Sequence, residues 1–281
     1  MAITYVGASG LGSVAANPPT VNITLPALIV NDIIVIQVMS KNLTLPANAL
    51  DTPTGYTEVG TRVTINAVAN ADDMHTAMFW KRATASDSGA SVTISRAGTS
   101  TLNLEGIAYV FRGCVKSGDP FDAAGIVTNG DINPDTDIEF AAFDPAADRH
   151  VVYFAWHADD VTTTPTDISN GGFTFTFRDE QETTVGTDCT SLLWSADHDG
   201  TALAAVNKAL TTTAGSSIGY VFALIPGGGG TASDDVLLRF GSLDSTTGTG
   251  LVTTSFTATG GAATVTGGMM LPYYLQLVQD I

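Results

Sequence analysis

Gly172-Phe173-Thr174-Phe175-Thr176-Phe177-Arg178 alternates aromatic and hydroxyl side chains without a break. Successive side chains of a strand point to opposite faces, so the three phenylalanines share one face and the two threonines the other. One face is buried and one is wet. Two other runs, Ile33-Ile34-Val35-Ile36 and Val151-Val152-Tyr153-Phe154-Ala155-Trp156, are apolar on both faces, as expected of central strands covered on each side. Together these patterns predict an all-β protein, an antiparallel two-sheet β-sandwich of jelly-roll or Ig-like type.

Further strands are expected over 3–7, 20–25, 56–65, 75–82, 91–95 and 102–112, then 137–140, 187–195 and 217–225, with the three runs above extended to 33–40, 150–157 and 172–178. The segments between them carry turn chemistry: Asn17-Pro18-Pro19, Asp51-Thr52-Pro53-Thr54-Gly55, Ser117-Gly118-Asp119-Pro120 and Asn133-Pro134-Asp135. Proline fixes φ there, and Asn, Asp and Gly tolerate the left-handed region, so strands should end at these points. Only 201–210, with Leu203, Val206 and Leu210 near helical spacing, fits either a short helix or a strand.

Pro226-Gly227-Gly228-Gly229-Gly230-Thr231 is the sharpest change of composition. Four glycines in a row favour a linker over a strand interior, which divides the chain into a sandwich domain (1–226), a linker (227–231) and a β-rich C-terminal extension (232–281). So short an extension cannot bury enough surface alone. Its end is apolar and aromatic, and Met269, Met270, Leu271, Tyr273, Tyr274, Leu275 and Leu277 form a candidate assembly interface. The alternative is that the extension folds back on its own sandwich as an added sheet.

Eleven Lys and Arg stand against 28 Asp and Glu, a formal net charge of −17. That field repels phosphate backbones and anionic membranes, so nucleic acid is not expected as a partner. The beginning of the chain lacks the pattern of a signal peptide, and no window reaches the length of an apolar membrane span; the expectation is synthesis in a host cytoplasm without membrane insertion. Cys114 and Cys189 match neither a metal knuckle nor a disulfide framework. They read as small buried hydrophobes, with a bridge between them as the alternative.

No catalytic constellation stands out. His75, His150, His157 and His198 lack the short spacing that gives two metal ligands from one element. The acidic pairs Asp72-Asp73, Asp159-Asp160 and Asp234-Asp235 match no calcium loop and read as charged turns. Gly7-Ala8-Ser9-Gly10-Leu11-Gly12 precedes no helix, so a phosphate cradle is not expected. Trp80, Trp156 and Trp194 lie in apolar runs, where packing is their ordinary use. The chain therefore reads as a non-enzymatic protein without cofactor or metal, working by contact.

Three segments carry a resemblance: Thr52-Pro53-Thr54-Gly55-Tyr56-Thr57-Glu58-Val59-Gly60, Met78-Phe79-Trp80-Lys81-Arg82-Ala83-Thr84-Ala85-Ser86-Asp87, and Ala108-Tyr109-Val110-Phe111-Arg112-Gly113. In this order they resemble bacteriophage structural proteins, the β-sandwich accessory proteins of heads and tails, over roughly Ile3 to Pro226. Tyr56 stands where that group has tryptophan. The resemblance implies a virion protein that decorates or stabilises the capsid, or forms a head or tail appendage. It also implies partners among its own copies, as a homotrimer, and among other virion proteins. The alternative within it is a receptor-binding tail fibre or adhesin subunit that recognises a host surface glycan.

Overall fold

The computed structural model describes residues 2–15, 19–41, 50–65, 74–97, 103–159, 161–183, 189–212 and 214–227. The C-terminal extension and its candidate interface from Met269 to Leu277 lie outside the described residues, as do residues 228–231 of the linker.

The expected two-sheet sandwich forms, and it forms in a particular way: each half of the chain builds one sheet. The first half supplies β1 (Thr4–Ala8), β2 (Gly12–Val14), β4 (Ile33–Lys41), β5 (Thr57–Ile65), β6 (Met74–Arg82) and β8 (Leu104–Arg112), in spatial order β1-β8-β4-β6-β5 with β2 beside β8. The second half supplies β9 (Phe121–Asp135), β11 (Arg149–His157), β12 (Ile168–Asn170), β13 (Phe173–Thr183), β14 (Cys189–His198) and β16 (Gly215–Leu224), in spatial order β12-β13-β14-β11-β16-β9. All strand pairs within the two sheets are antiparallel. Each sheet is roofed by a two-stranded ribbon, β3 (Thr20–Thr24) with β7 (Ser91–Ser95) over the first and β10 (Asp137–Phe140) with β15 (Val206–Ala209) over the second.

The two halves thus repeat one topology. Apart from the additional β12, β1 with β2 corresponds to β9, β8 to β16, β4 to β11, β6 to β14, β5 to β13, and ribbon to ribbon. The registers make the correspondence residue-specific, because Val35 pairs with Trp80 and Tyr109 as Val152 pairs with Ser195 and Phe222. Asn31 (φ 72°) and Asp148 (φ 56°) then hold equivalent places at the entry to β4 and β11. Their short polar side chains tolerate the left-handed conformation that a branched residue resists. Gly106 and Gly219 are equivalent too, and each lies beneath its ribbon, where a Cβ would run into Ile94 of β7 or into the Glu139 carbonyl and Phe140 ring of β10.

Three apolar layers result. Val35, Met39, Ile107 and Phe111 meet Val152, Phe154, Trp156 and Leu193 between the sheets. Ile34, Ile36 and Val110 meet Ile23 and Ile94 under the first ribbon, and Val151, Tyr153 and Trp194 meet Ile138 and Phe140 under the second. This explains why β4 and β11 are apolar on both faces: each is covered twice. Phe175 is buried while Thr174 and Thr176 are exposed, as the alternation in that strand requires. Trp156 and Trp194 are fully buried, whereas Trp80 is half-buried with the Arg82 guanidinium over its ring.

Some boundaries depart from the sequence-based expectation. Asn133-Pro134-Asp135 does not end a strand but lies inside β9. β9 is a sheet edge with a register shift near that point, and an edge strand tolerates proline because one side of its backbone has no ladder to complete. Segment 201–210 is extended and contributes β15. β13 continues past Arg178 through Asp179-Glu180-Gln181-Glu182 after a bulge between Phe177 and Asp179. Cys114 and Cys189 form no disulfide, and both are buried between the sheets; burial pushes the Cys114 thiol up to about 12.

Candidate functional site

The repeated topology gives the sandwich two flanks, and they differ. On the flank of β5 and β9, Ile126 packs over Gly60, Ile65 packs beside Gly130, and the Phe121 ring meets Trp80 edge-on. It is closed by apolar contact. On the flank of β1, β2 and β13, the β13 bulge brings Asp179 opposite Leu193 and Gln181 opposite Ser191, on the parity that faces the first sheet. Polar groups follow one another along it.

At one end of this flank, Arg178 donates from Nε to Ser195 Oγ at 3.0 Å, and His150 Nδ1 lies 2.8 Å from Asp197 Oδ1. Burial holds the His150 imidazole below its ordinary pKa despite that carboxylate. In the middle, Gln181 donates to Asp179 Oδ1 at 3.2 Å, and Tyr109 donates to Ser191 Oγ at 3.3 Å. Burial raises Asp179, and it raises the Tyr5 phenol, with the nearby Asp179 charge adding to the effect.

The other end is the most enclosed. Lys41 closes β4 and Glu105 is the second residue of β8, both on the inward parity of their strands, with Asn103 just ahead of β8. All three are buried, at 1%, 0% and 1% exposure for Lys41, Glu105 and Asn103. Lys41 Nζ donates to the Ala158 carbonyl of the opposite sheet at 2.8 Å. Asn103 Nδ2 donates to Glu105 Oε1 at 3.1 Å, Ser13 Oγ to the same oxygen at 3.4 Å, and the Cys189 thiol also hydrogen-bonds to this carboxyl. Arg96 donates to Ser40 Oγ and, at 3.2 Å, to the Lys41 carbonyl.

Burial pushes the Glu105 carboxyl up to about 8, against 4.5 for an ordinary glutamate, although Asn103 and the Lys41 charge oppose the shift. Below 4.5 the group is protonated in folded and unfolded chains alike. Between 4.5 and about 8 the folded chain keeps a proton that the unfolded chain has released. Stability attributable to this group is therefore complete below 4.5, falls by up to about 1.4 kcal/mol per pH unit across the window, and is lost above it. Denaturant titrations at pH 5 and pH 8 should show a smaller difference in midpoint for Glu105→Gln than for the unaltered chain; an equal difference would contradict the assignment.

A second feature is an open groove of about 380 Å³ lined by Val161, Thr162, Thr163, Thr164, Glu180, Gln181 and Glu182. Glu180 is raised to about 7, first by partial burial and then by the neighbouring Glu182. Its chemistry is that of hydroxyl, amide and carboxyl hydrogen bonding.

The structure scatters the histidines. His75 Nδ1 lies 2.5 Å from Thr64 Oγ1, His198 lies tilted against Phe173 with ring centroids 4.1 Å apart, and His157 is fully buried. Among the described residues no three His, Cys, Asp or Glu side chains converge as a metal site, and no helix is long and apolar enough to cross a membrane. Asp72, Asp73, Asp160, Asp234 and Asp235 lie outside the described residues.

Lys41, Asn103 and Glu105 were not singled out by motif. The available signal was parity: Asn103-Leu104-Glu105-Gly106-Ile107 alternates so that Asn103 and Glu105 share the face of Ile107, and Lys41 shares the face of Val35 and Met39. Comparison with known proteins found no matching family model, no matching curated protein and no matching solved structure.

Proposed function

We propose that this chain is a non-enzymatic structural protein of a bacteriophage particle, decorating or stabilising the capsid or forming a head or tail appendage through subunit contacts. The observation that carries the reading is the roofing of both sheets. With ribbons on the outside and the second sheet on the inside, the Glu105 carboxyl, both thiols and His150 are enclosed. Such a body offers partners its surface and its rigidity. The three segments that resemble virion accessory proteins, and an apolar C-terminal run suited to burial against another subunit, support the same reading. The proposed partners are copies of the chain, as a homotrimer, and other virion proteins.

Truncation after Gly230 tests it. The shortened chain should keep the far-UV spectrum and denaturant midpoint of the sandwich and lose co-sedimentation with particles. Full retention on particles would contradict the proposed role of the extension. Copy number separates shell decoration, with hundreds of chains per particle, from an appendage with far fewer.

The groove of Thr162 to Thr164 with Glu180 and Glu182 favours a second reading, recognition of a host glycan, because its hydroxyl, amide and carboxyl groups match a polyhydroxylated ligand. A glycan array without hits would remove it.

A further inference from the structure

We propose that Lys41 and Asn103 become joined by an intramolecular amide bond between their side chains, with Glu105 transferring the protons. The inference stands on the buried end of the polar flank and is independent of the virion reading.

The backbone sets the distance. Lys41 N donates to the Asn103 carbonyl at 3.0 Å, one step beyond the Ser40 and Leu104 pair of the β4 and β8 ladder, so Lys41 and Asn103 are direct cross-strand neighbours. Side chains in such positions have Cβ atoms about 5 Å apart, well within the reach of a lysine. Glu105 is the next residue on the same face as Asn103, and the 3.1 Å bond from Asn103 Nδ2 places its carboxyl against the carboxamide that would react. The Lys41 bond to Ala158 keeps the amine inside the sandwich rather than extended to solvent.

The fold itself does not require these three residues. Their equivalents in the second half are Ala158, Ser216 and Ile218, at the same places in the same topology. A small, largely apolar set suffices there, although fully burying lysine and glutamate costs free energy that an apolar replacement avoids. An amine, a carboxamide and a carboxyl are therefore gathered where packing asks for none of them.

The chemistry balances without a co-reactant. In the fraction of molecules whose Glu105 has released its proton, a minority below about 8, the carboxylate takes a proton from Lys41, and the freed lone pair on Nζ adds to Asn103 Cγ. The Cγ–Nζ bond forms while the carbonyl π electrons move to oxygen, which the Glu105 carboxyl protonates. Collapse of the tetrahedral centre restores the carbonyl and breaks the Cγ–Nδ2 bond, and Nδ2 leaves as ammonia with protons relayed by Glu105. Amine plus carboxamide gives amide plus ammonia, with no oxidation or reduction. Enclosure supplies the proximity and excludes competing water. The product ties the end of β4 to the start of β8 and closes residues 42–102 into a covalent loop.

Intact mass spectrometry of the purified full chain should give a mass lower than the sequence by one ammonia, and a proteolytic map should contain one branched peptide joining Lys41 to residue 103. Asn103→Asp should lose one water instead, and Glu105→Gln and Asn103→Ala should keep their full sequence masses. Asn129-Gly130 and Asn170-Gly171 can also lose ammonia by succinimide formation, which the peptide map separates. A full sequence mass for the unaltered chain after prolonged incubation at neutral pH would overturn the proposal. So would ammonia loss mapped to Asn129 or Asn170. Both readouts come from the unaltered protein, so misfolding of a variant cannot mask the answer.

Discussion

Trp194→Ala lowers the unfolding free energy of the sandwich by about 3 to 5 kcal/mol, the cost of removing a large aromatic from a packed interior. The ring is fully buried under the second ribbon, edge-on to Phe177 at 5.5 Å and to Phe140 at 6.1 Å between centroids. Its Nε1 donates to the Thr166 carbonyl at 3.0 Å, so truncation leaves a cavity and an acceptor without its donor. Trp80 is the internal control, because it is half-buried on the first sheet with one face under Arg82. Trp80→Ala should cost clearly less, since its site borders solvent and can fill with water. Denaturant midpoints with unchanged m-values decide it. Equal losses for the two variants would mean that the second ribbon does not seal the sheet.

Gly219→Ala should be the more damaging of a matched pair of glycine substitutions. A Cβ at Gly219 meets the Glu139 carbonyl and the Phe140 ring, and the carbonyl belongs to β10, held in register against β15. A ladder carbonyl cannot rotate aside, so the ribbon must lift from the sheet at about 1 to 3 kcal/mol or more. At the equivalent Gly106 the obstacle is the end of the Ile94 side chain, which has other rotamers. Gly106→Ala should cost less, and Ile94→Val, which shortens the obstructing arm, should recover part of the loss. If both glycine variants lose equal stability and Ile94→Val has no effect, the ribbons do not approach the sheets as described. The pair also tests the repeat itself, because it contrasts equivalent positions that differ only in what lies above them.

How far a residue could be read from the sequence depended on whether its reason was local. The Phe173, Phe175, Phe177 alternation needs nothing beyond the pleat, and the two-faced apolar runs of β4 and β11 announced double coverage. β9 escaped because Gly125, Gly130 and Pro134 carry turn chemistry, and only pairing with β16 turns that segment into an edge strand. The acidic half of β13 escaped because one bulge at Arg178 exchanges its faces, which defeats a strict two-residue period. The repeat escaped because its halves share spacing and pattern more than identity; Gly106-Ile107-Ala108-Tyr109-Val110-Phe111 and Gly219-Tyr220-Val221-Phe222-Ala223-Leu224 align only once the registers are known.

The chain's composition and alternation by themselves determined an antiparallel sandwich with central strands buried on both faces, because side-chain direction in a strand follows from the pleat. Which sheet each half builds, which flank is polar, and the meeting of Lys41, Asn103 and Glu105 were decided only by tertiary structure. Those outcomes depend on pairing between residues far apart in sequence, and no local period encodes which distant strand lies alongside.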